Sequence, residues 1–559
     1  MQLRKHFSKL ASFLLASTIL TGCMGTPVSS QATSEAGSAA SSSIVETEAK
    51  TIPGTNYTRD ADGVPNLNGE TITIWLPMAP EEIKWVQSYS EYETIKNLQE
   101  RLNVKLEFVH PPVGQEQDAF SIMLNSGNWP DIIWANCIDW YPGGRDMAIK
   151  DGVMATVDSY INDDYMPNFS KVILSDEVRR KEFFNDNGQL VRLGARYVTN
   201  DGKYGASAYT GPMIRKDFLE QTGLPLPETI DDWYKMLTAM KENGVEVPYG
   251  WAGKGWDATE AVSTFVSAYG VTHGMMIKED GKVGFGPMEP GYKDYLAEMN
   301  KWYTEGLINP DFANHTDSDN IFPMLASDKV GSYTNHLWTY AGIYYPSVTA
   351  ENPEKDVIPA PYPVLNKGDK PNRFRDAYYG VQESPSITTK AKSVEACVLL
   401  LDALYNPEVN YIMAGTEGVT FERGTTGDFS IDPIWKPNDA ELDMRRQHSA
   451  VRWREIIDDN STVPFYYDYP SQLEAFELWN AATYDGKIPS GLTFTEEELE
   501  INAKYSTDIY TYLSEMKMKF MVGTEPIENF DAFVEQLKKM HVEELIQIHQ
   551  QALDRYNAR

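Results

Sequence analysis

The sequence predicts an α/β protein of two or three domains, and three observations carry that prediction. The chain has 559 residues, too many for one ordinary domain. Short apolar or alternating runs of strand type interleave with amphipathic helical runs, with no repeat at a fixed period. The first such stretch reads strand, helix, strand, turn, strand within about 70 residues.

Taken from the start, residues 1–22 are a processing signal. Arg4, Lys5 and Lys9 form a positive region, and Leu10 to Leu20 is an apolar run too short to span a bilayer. The run ends in Leu20-Thr21-Gly22-Cys23, which resembles a bacterial lipobox. That resemblance implies cleavage before Cys23 and a diacylglycerol thioether on its sulfur. A membrane anchor rather than a membrane span is expected, since no later segment is apolar for long enough. Residues 24–50 are rich in Ser, Ala, Thr and Glu, and the stretch 23–67 is expected to be a flexible tether with a reach of about 35–40 Å. Within it, Asp60-Ala-Asp62-Gly63 reads as a turn, because a calcium loop needs more oxygens at fixed spacing.

The folded part opens on a strand at Thr71–Leu76, stopped by Pro77. Ile95, Leu98 and Leu102 mark one helix face, and Val104, Leu106 and Phe108 alternate as a half-buried strand. Gly127 and Pro130 break the chain before Ile132–Ala135, an apolar run of the buried parallel type. Further along, Trp233, Met236, Leu237 and Met240 share a helix face. So do Tyr295, Met299 and Trp302, then Val394, Cys397, Val398 and Leu401, and finally Phe530, Phe533, Val534 and Leu537.

The formal charge of −32 becomes −35 once the signal and its three cations are removed. Such acidity argues against nucleic acid or an anionic membrane as the main partner. Three cysteines make no disulfide framework, and Cys137 and Cys397 have no CxxC partner. The sequence has no GxSxG, HExxH, P-loop or strand-linked GxGxxG. His541 and His549 lie eight apart in a helical tail, a poor metal site, and the run Asp458-Asp459-Asn460 reads as a solvated turn. The chain is expected to be no enzyme and to use no cofactor.

Several segments in order carry a resemblance. They are the lipobox, LNVKLEF, SGNWPDIIWAN, Tyr204-Gly-Ala-Ser-Ala-Tyr209 with Met213 to Trp233, Glu298 to Phe312 before the strand Lys329–Thr334, Glu417-Gly418-Val419, and Ala552-Leu-Asp-Arg555. Together they resemble the extracellular solute-binding lipoproteins of family 1, the receptors of carbohydrate ABC importers and distant relatives of maltodextrin-binding protein. The resemblance covers about 68–559. It implies a type 2 periplasmic-binding-protein fold, two α/β lobes around a ligand cleft with a hinge. The expected division is lobe 1 over 68–205 and 376–465, lobe 2 over 206–375, and C-terminal helices over 466–559 mainly with lobe 2. The implied partners are a carbohydrate ligand and transmembrane permease subunits, at the extracytoplasmic face of the cell membrane, with the receptor a monomer.

A sugar cleft needs flat rings for C–H faces and carboxylates, amides or Arg for hydroxyls, placed in loops after strands. Trp75, Glu81, Asn128, Trp129, Asn136, Asp139, Trp140, Tyr209, Trp251, Trp256, Asn335, His336 and Trp338 meet that description. Trp75 points away from Ile72 and Ile74, Trp129 reads equally as a helix cap, Trp134 as core or cleft, and Trp251 and Trp256 stand in a Gly-rich loop whose glycines are expected to leave them exposed. By the resemblance, Trp338 falls where a tryptophan stacks on sugar, Asp139 on an acidic sugar-binding position, and Tyr209 where the relative has a glutamate. Many members of the subfamily carry a calcium loop where this chain has Met240 to Pro248, a stretch without the repeated Asp/Asn oxygens; no structural calcium is expected there. A neutral oligosaccharide is expected rather than a polyanion, since Lys254 and Arg145 are the only bases near the candidate loops. Arg373, Arg375 and Arg423 are the residues that would reverse this. Binding of a peptide or other solute, and presentation of ligand to a sensor, are the competing functions.

Overall fold

The computed structural model describes residues 49–78, 82–194, 197–199, 210–253, 264–314, 321–337, 348–374, 384–425, 427–434, 456–458, 469–483 and 485–559. Cys23 and the signal lie outside them. The chain divides into Met1–Thr47 and Glu48–Arg559, and all that follows concerns the second unit.

Residues 50–67 correct the tether expectation, because they are folded. β1 (Lys50–Thr51), β2 (Thr58–Arg59) and β3 (Pro65–Asn66) form an antiparallel sheet. Ile52, Tyr57, Val64 and Leu67 are buried in the core of the first lobe. Arg59 donates to the carbonyls of Gly63, Asp164 and Tyr165 and pairs with the buried Asp402 at 3.2 Å. These apolar residues are too dilute to show a period, yet each fills a place prepared by the rest of the lobe. Asp60 does make the expected turn, its Oδ1 accepting from the N–H groups of Asp62 and Val64.

The first lobe runs β4 (Glu70–Trp75), α1 (Glu93–Leu102), β5 (Val104–Val109), α2 (Glu116–Ser126) and β6 (Ile132–Ile133). A 3₁₀ turn (Ala135–Trp140), α3 (Gly144–Lys150) and α4 (Glu177–Phe183) follow. β4 lies between β5 and β6, parallel to both. Ile95, Leu98 and Leu102 are fully buried in the same cluster as Ile72 and Ile74, as their spacing predicts. The opposite face of β4 puts Trp75 against Phe120, Ile133 and Ile138. A central parallel strand is covered on both faces, so its outward position is core as well.

β7 (Tyr197–Thr199) precedes the second lobe, which holds β8 (Thr210–Arg215), α5 (Lys216–Thr222), α6 (Ile230–Glu242) and β9 (Val247–Gly250). The hairpin β10 (Met275–Ile277) and β11 (Val283–Phe285), α7 (Pro290–Thr304), β12 (Val330–His336) and β13 (Val357–Pro359) complete it. Its sheet has the order β13-β8-β12-β9, with β12 parallel to β9 and antiparallel to β8. A capping box of Thr229 and Asp232 starts α6. The predicted faces of α6 and α7 are buried together in one aromatic core.

The chain then returns to the first lobe. β14 (Ser386–Ile387) pairs antiparallel with β6, and α8 (Val394–Ala403), α9 (Pro407–Ala414) and the hairpin β15 (Phe421–Arg423) and β16 (Ile431–Pro433) follow. β17 (Ile456–Asp458) runs parallel beside β7. The last helices are α10 (Pro470–Asn480), α11 (Glu496–Val522), α12 (Phe530–Lys539) and α13 (Val542–Ala558). The indole of Trp479 lies on Gly211, where a Cβ would stand 2.2 Å from the ring, so only glycine fits there. Ile509, Leu513, Met516 and Phe520 of α11 join the second lobe's core. Cys397 is buried on α8, and burial pushes its thiol well up.

Candidate functional site at the strand ends of the two lobes

In an open α/β sheet the crevice lies outside the carboxyl ends of the strands. β4, β5 and β6 are parallel, so the loops after Trp75, Val109 and Ile133 open along one edge. In the second lobe β9 and β12 end at Gly250 and His336, and His336 stands opposite Thr210, where β8 begins. The chain next to Thr210, Gly250 and His336 opens along one edge there too. The described candidates that follow a strand lie at these edges, Asn136, Asp139 and Trp140 in the first lobe and Asn335 and His336 in the second, whereas Asn128 and Trp129 precede β6 and lie at its opposite end. Glu81, Tyr209, Trp256 and Trp338 lie outside the described residues. Asn136 sits in the 3₁₀ turn, and Asn335 and His336 close β12; each is placed by its backbone.

The described tryptophans divide clearly. Trp75 and Trp251 are buried. Trp251 packs among Tyr249, Phe265 and Phe312, and its N–H and carbonyl are both held by the side chain of Asn309, at 2.7 and 3.0 Å. The reading of Trp251 as exposed by its glycines is thereby corrected: Gly253 brings the loop down onto Ala313 instead, leaving a Cβ only 2.7 Å from that backbone. Trp134 is likewise in the core. Trp129 serves as a cap: its Nε1–H donates to the Leu124 carbonyl at the end of α2, and the Lys390 ammonium lies 5.1 Å from its ring. Asn128 is exposed beside it. Trp140 is 38% exposed at the end of the 3₁₀ turn, propped edge-on by Phe120 at 5.7 Å.

Asp139, next to Trp140, borders a cavity of about 270 Å³ lined by Arg145, Asp146, Glu182, Arg192 and the segment Gly491 to Phe494. Its Oδ1 accepts from Arg145 Nε at 2.8 Å, and Arg192 stands 3.9 Å from Oδ2. The carboxylate is 37% exposed, so room remains for a hydroxyl donor. Arg145 is fully enclosed. It donates to Asp139, the Val191 carbonyl, Ser386 Oγ and the Ser384 carbonyl, and burial brings its guanidinium down to about 10. This arginine ties α3 to both chain segments beside the lobe crossing. Desolvation also raises the Asp146 carboxyl, which accepts from Asn185 at 2.7 Å. Nothing in the sequence marks Arg145, Glu182 or Gly491 for these positions. An arginine in a short polar helix reads as solvated, and two of the four groups it donates to come from chain more than 200 residues away.

Asp131 of the SGNWPDII segment is a structural staple. Its Oδ2 accepts the N–H and hydroxyl of Thr73, at 2.7 and 2.5 Å, and its Oδ1 the N–H of Lys392 at 2.8 Å. It joins β4, β6 and the entry to α8. Residues 240–248 form a tight helix-to-strand turn, in which Gly244 has φ 93° and the Val245 N–H donates to the Met240 carbonyl. Among the described residues no group of three or more His, Cys, Asp or Glu is placed to hold a metal. Arg423 is held by Glu408 and Glu417 and lies on the Tyr411 ring, while Arg373 donates to the Trp479 carbonyl. Arg375 and Lys254 lie outside the described residues.

Two α/β lobes joined by crossing strands around a cleft define a hinged solute receptor. A sequence profile of bacterial extracellular solute-binding proteins matches residues 87–411, and the chain belongs to that family. It is 26% identical to Lipoprotein LipO of Bacillus subtilis, over 85% of this chain and 91% of LipO. It is 23% identical to the fructooligosaccharide ABC transporter substrate-binding protein FusA of Streptococcus pneumoniae, over 78% and 82%. The polygalacturonan/rhamnogalacturonan-binding protein YtcQ of Bacillus subtilis is 22% identical, over 82% and 87%. Among solved structures, a human-milk-oligosaccharide-binding receptor from Bifidobacterium longum infantis superposes with a TM-score of 0.70 at 18% identity, covering 87% of this chain and 99% of its own.

Proposed function

We propose that this receptor captures a neutral oligosaccharide between its lobes and delivers it to an ABC permease. The observation that carries the reading is the pairing, at the strand-end edge of the first lobe, of an exposed rigid ring with an accessible carboxylate. Trp140 offers a face for sugar C–H groups, and Asp139 accepts a hydroxyl proton beside it. The names of FusA and YtcQ place one neutral and one acidic polysaccharide fragment among the ligands of relatives. The neutral class is favoured here because a uronate chain needs several guanidinium or ammonium groups. Arg145, Arg373 and Arg423 all have internal partners. Glu81, Tyr209, Trp256, Asn335, His336 and Trp338 belong to the proposed contact set. Lobe boundaries near 205, 375 and 465, a lipid anchor on Cys23 at the extracytoplasmic face, and a monomeric receptor belong to the same reading.

A thermal-shift screen of paired neutral and uronic-acid oligosaccharides tests it, since ligand at 100 times its Kd stabilises by about 2.7 kcal/mol. Calorimetry then ranks the hits. Stabilisation by a neutral member is expected. Tighter binding of an acidic partner that weakens steeply with salt would replace the neutral ligand with a uronate. Stabilisation by peptides alone would end the carbohydrate reading.

A further inference from the structure

The last helix is fastened at both ends to different lobes. Val542, Leu545 and Ile548 of α13 are buried in the second lobe's core, and the Gln550 side chain accepts the Val283 N–H of β11 at 2.7 Å. Its other end grips the first lobe. Tyr556 donates its hydroxyl to Glu182 at 2.6 Å. Arg559 donates to Asp186 at 2.7 Å and to the carbonyls of Lys181 and Phe184 at 2.7 and 2.6 Å. Arg555 reaches Asp186 at 2.7 Å and holds Glu498 of α11 in a two-pronged pair at 2.8 and 2.5 Å.

The same two arginines fix the segment before α11. Arg559 donates to the Gly491 carbonyl and Thr493 Oγ, and Arg555 to the Thr493 carbonyl. Gly491 lies so close to Glu182 that a Cβ would stand 2.7 Å from its backbone. Asp186 carries both arginines, and their hydrogen bonds hold its carboxyl below its ordinary value against the opposing effect of burial. The chain from this turn runs through Arg192, beside Asp139, into the crossing strand β7.

A helix cannot stretch, since its length is fixed at about 1.5 Å per residue. If α13 stays seated in the second lobe while its tip stays clamped to the first, the lobes can turn only about the clamp. We propose that the cluster of Glu182, Asp186, Arg555, Tyr556 and Arg559 is the fulcrum of lobe movement, a non-covalent connection added to the crossing chains. It tethers the first lobe to the wall of the Asp139 cavity, so that wall keeps its shape as the lobes move.

Paired spin labels on the full chain, without added ligand, test this. Cys23→Ser removes the thiol ahead of the folded part, and the buried Cys137 and Cys397 stay unlabelled. A pair near the clamp, Glu177→Cys with Gln551→Cys, should give one narrow distance. A pair on the outer strands, Lys105→Cys with Glu246→Cys, should give a distribution at least twice as wide. Removing residues 555–559 should widen the near pair to match the outer one. The double variant Glu182→Gln, Asp186→Asn should do the same, which guards against misfolding of the truncated chain. A near pair no narrower than the outer pair, or one left unchanged by both alterations, overturns the proposal.

Discussion

In the first lobe, three charged groups are buried and held by several partners each. Asp402 takes Arg59, the N–H groups of Asn168 and Phe169, and the Asn168 amide; Asp131 takes Thr73 and Lys392; Arg145 takes four acceptors. In the second, rings fill the equivalent space: Trp233, Tyr249, Trp251, Phe265 and Trp302 pack edge to face, and Tyr292 and Tyr295 lie tilted against each other. The difference teaches how to read this composition. An aromatic content of 12% suggests an ample supply of sugar-stacking rings, but much of it is consumed as filling for one core. The first lobe spends its carboxylates in a comparable way. Function is left to the residues that both cores leave at their edges.

The comparison breaks most visibly if a core ring is removed. Trp302→Ala should cost about 3–5 kcal/mol in chemical denaturation, because the ring sits at zero exposure among Phe265 and its neighbours. A cost under about 1 kcal/mol would mean that the second lobe does not depend on its aromatic filling. Next, Asp402→Ala should destabilise the first lobe by about 3 kcal/mol, since Arg59 and two backbone N–H groups lose their acceptor in the interior. Asp402→Asn should recover part of this; if both variants unfold like the parent, the folded 50–67 strap is not held by that pair.

Trp140→Ala sharpens the contrast between core and edge. It should leave unfolding stability within about 1 kcal/mol and weaken ligand binding by about 1–3 kcal/mol. The opposite pattern would make Trp140 one more core ring.

The smallest effect is a pH dependence of the first lobe's loop around His110. His110 Nδ1 lies 2.8 Å from the Leu76 carbonyl and must donate there, while Nε2 faces the Tyr89 N–H and Ser88 hydroxyl and must accept. Burial holds its pKa below the ordinary 6.5, against the Leu76 carbonyl and the nearby Glu82. A depressed folded value means this contribution is complete above pH 6.5 and is lost as pH falls from there through the folded value. His549 on α13, also depressed by burial and facing Glu498 and Phe494, acts in the same direction. Amide protection across 76–92, corrected for the intrinsic exchange rate at each pH, should drop between pH 7 and 5, and His110→Gln should flatten the resulting rise in corrected exchange. A rise that survives the substitution would assign it to other groups.

Much of the fold is legible because local period and global packing agree. Leu98, Leu106, Trp233 and Trp302 face inward where their spacing puts them. The alternation argument stops at Trp75, since it assumes a solvated second face and β4 is central. It stops at residues 50–67, where burial depends on chain far away in sequence. The site is legible only in part. Asp139 and Trp140 stand out as polar and aromatic residues just after a strand. Trp251 has the same signature after β9, and Trp129 stands in the turn before β6, yet the first fills a core and the second caps a helix; only the Phe265 and Phe312 rings and the Leu124 carbonyl decide that.

The central claim is that ligand is captured by closure of the two lobes, because contacts from both edges are completed only in the closed state. Small-angle scattering of the full chain, with and without a saturating oligosaccharide verified by calorimetry, measures this directly. The account predicts a smaller radius of gyration and maximum dimension with ligand. Identical dimensions at saturation would contradict it.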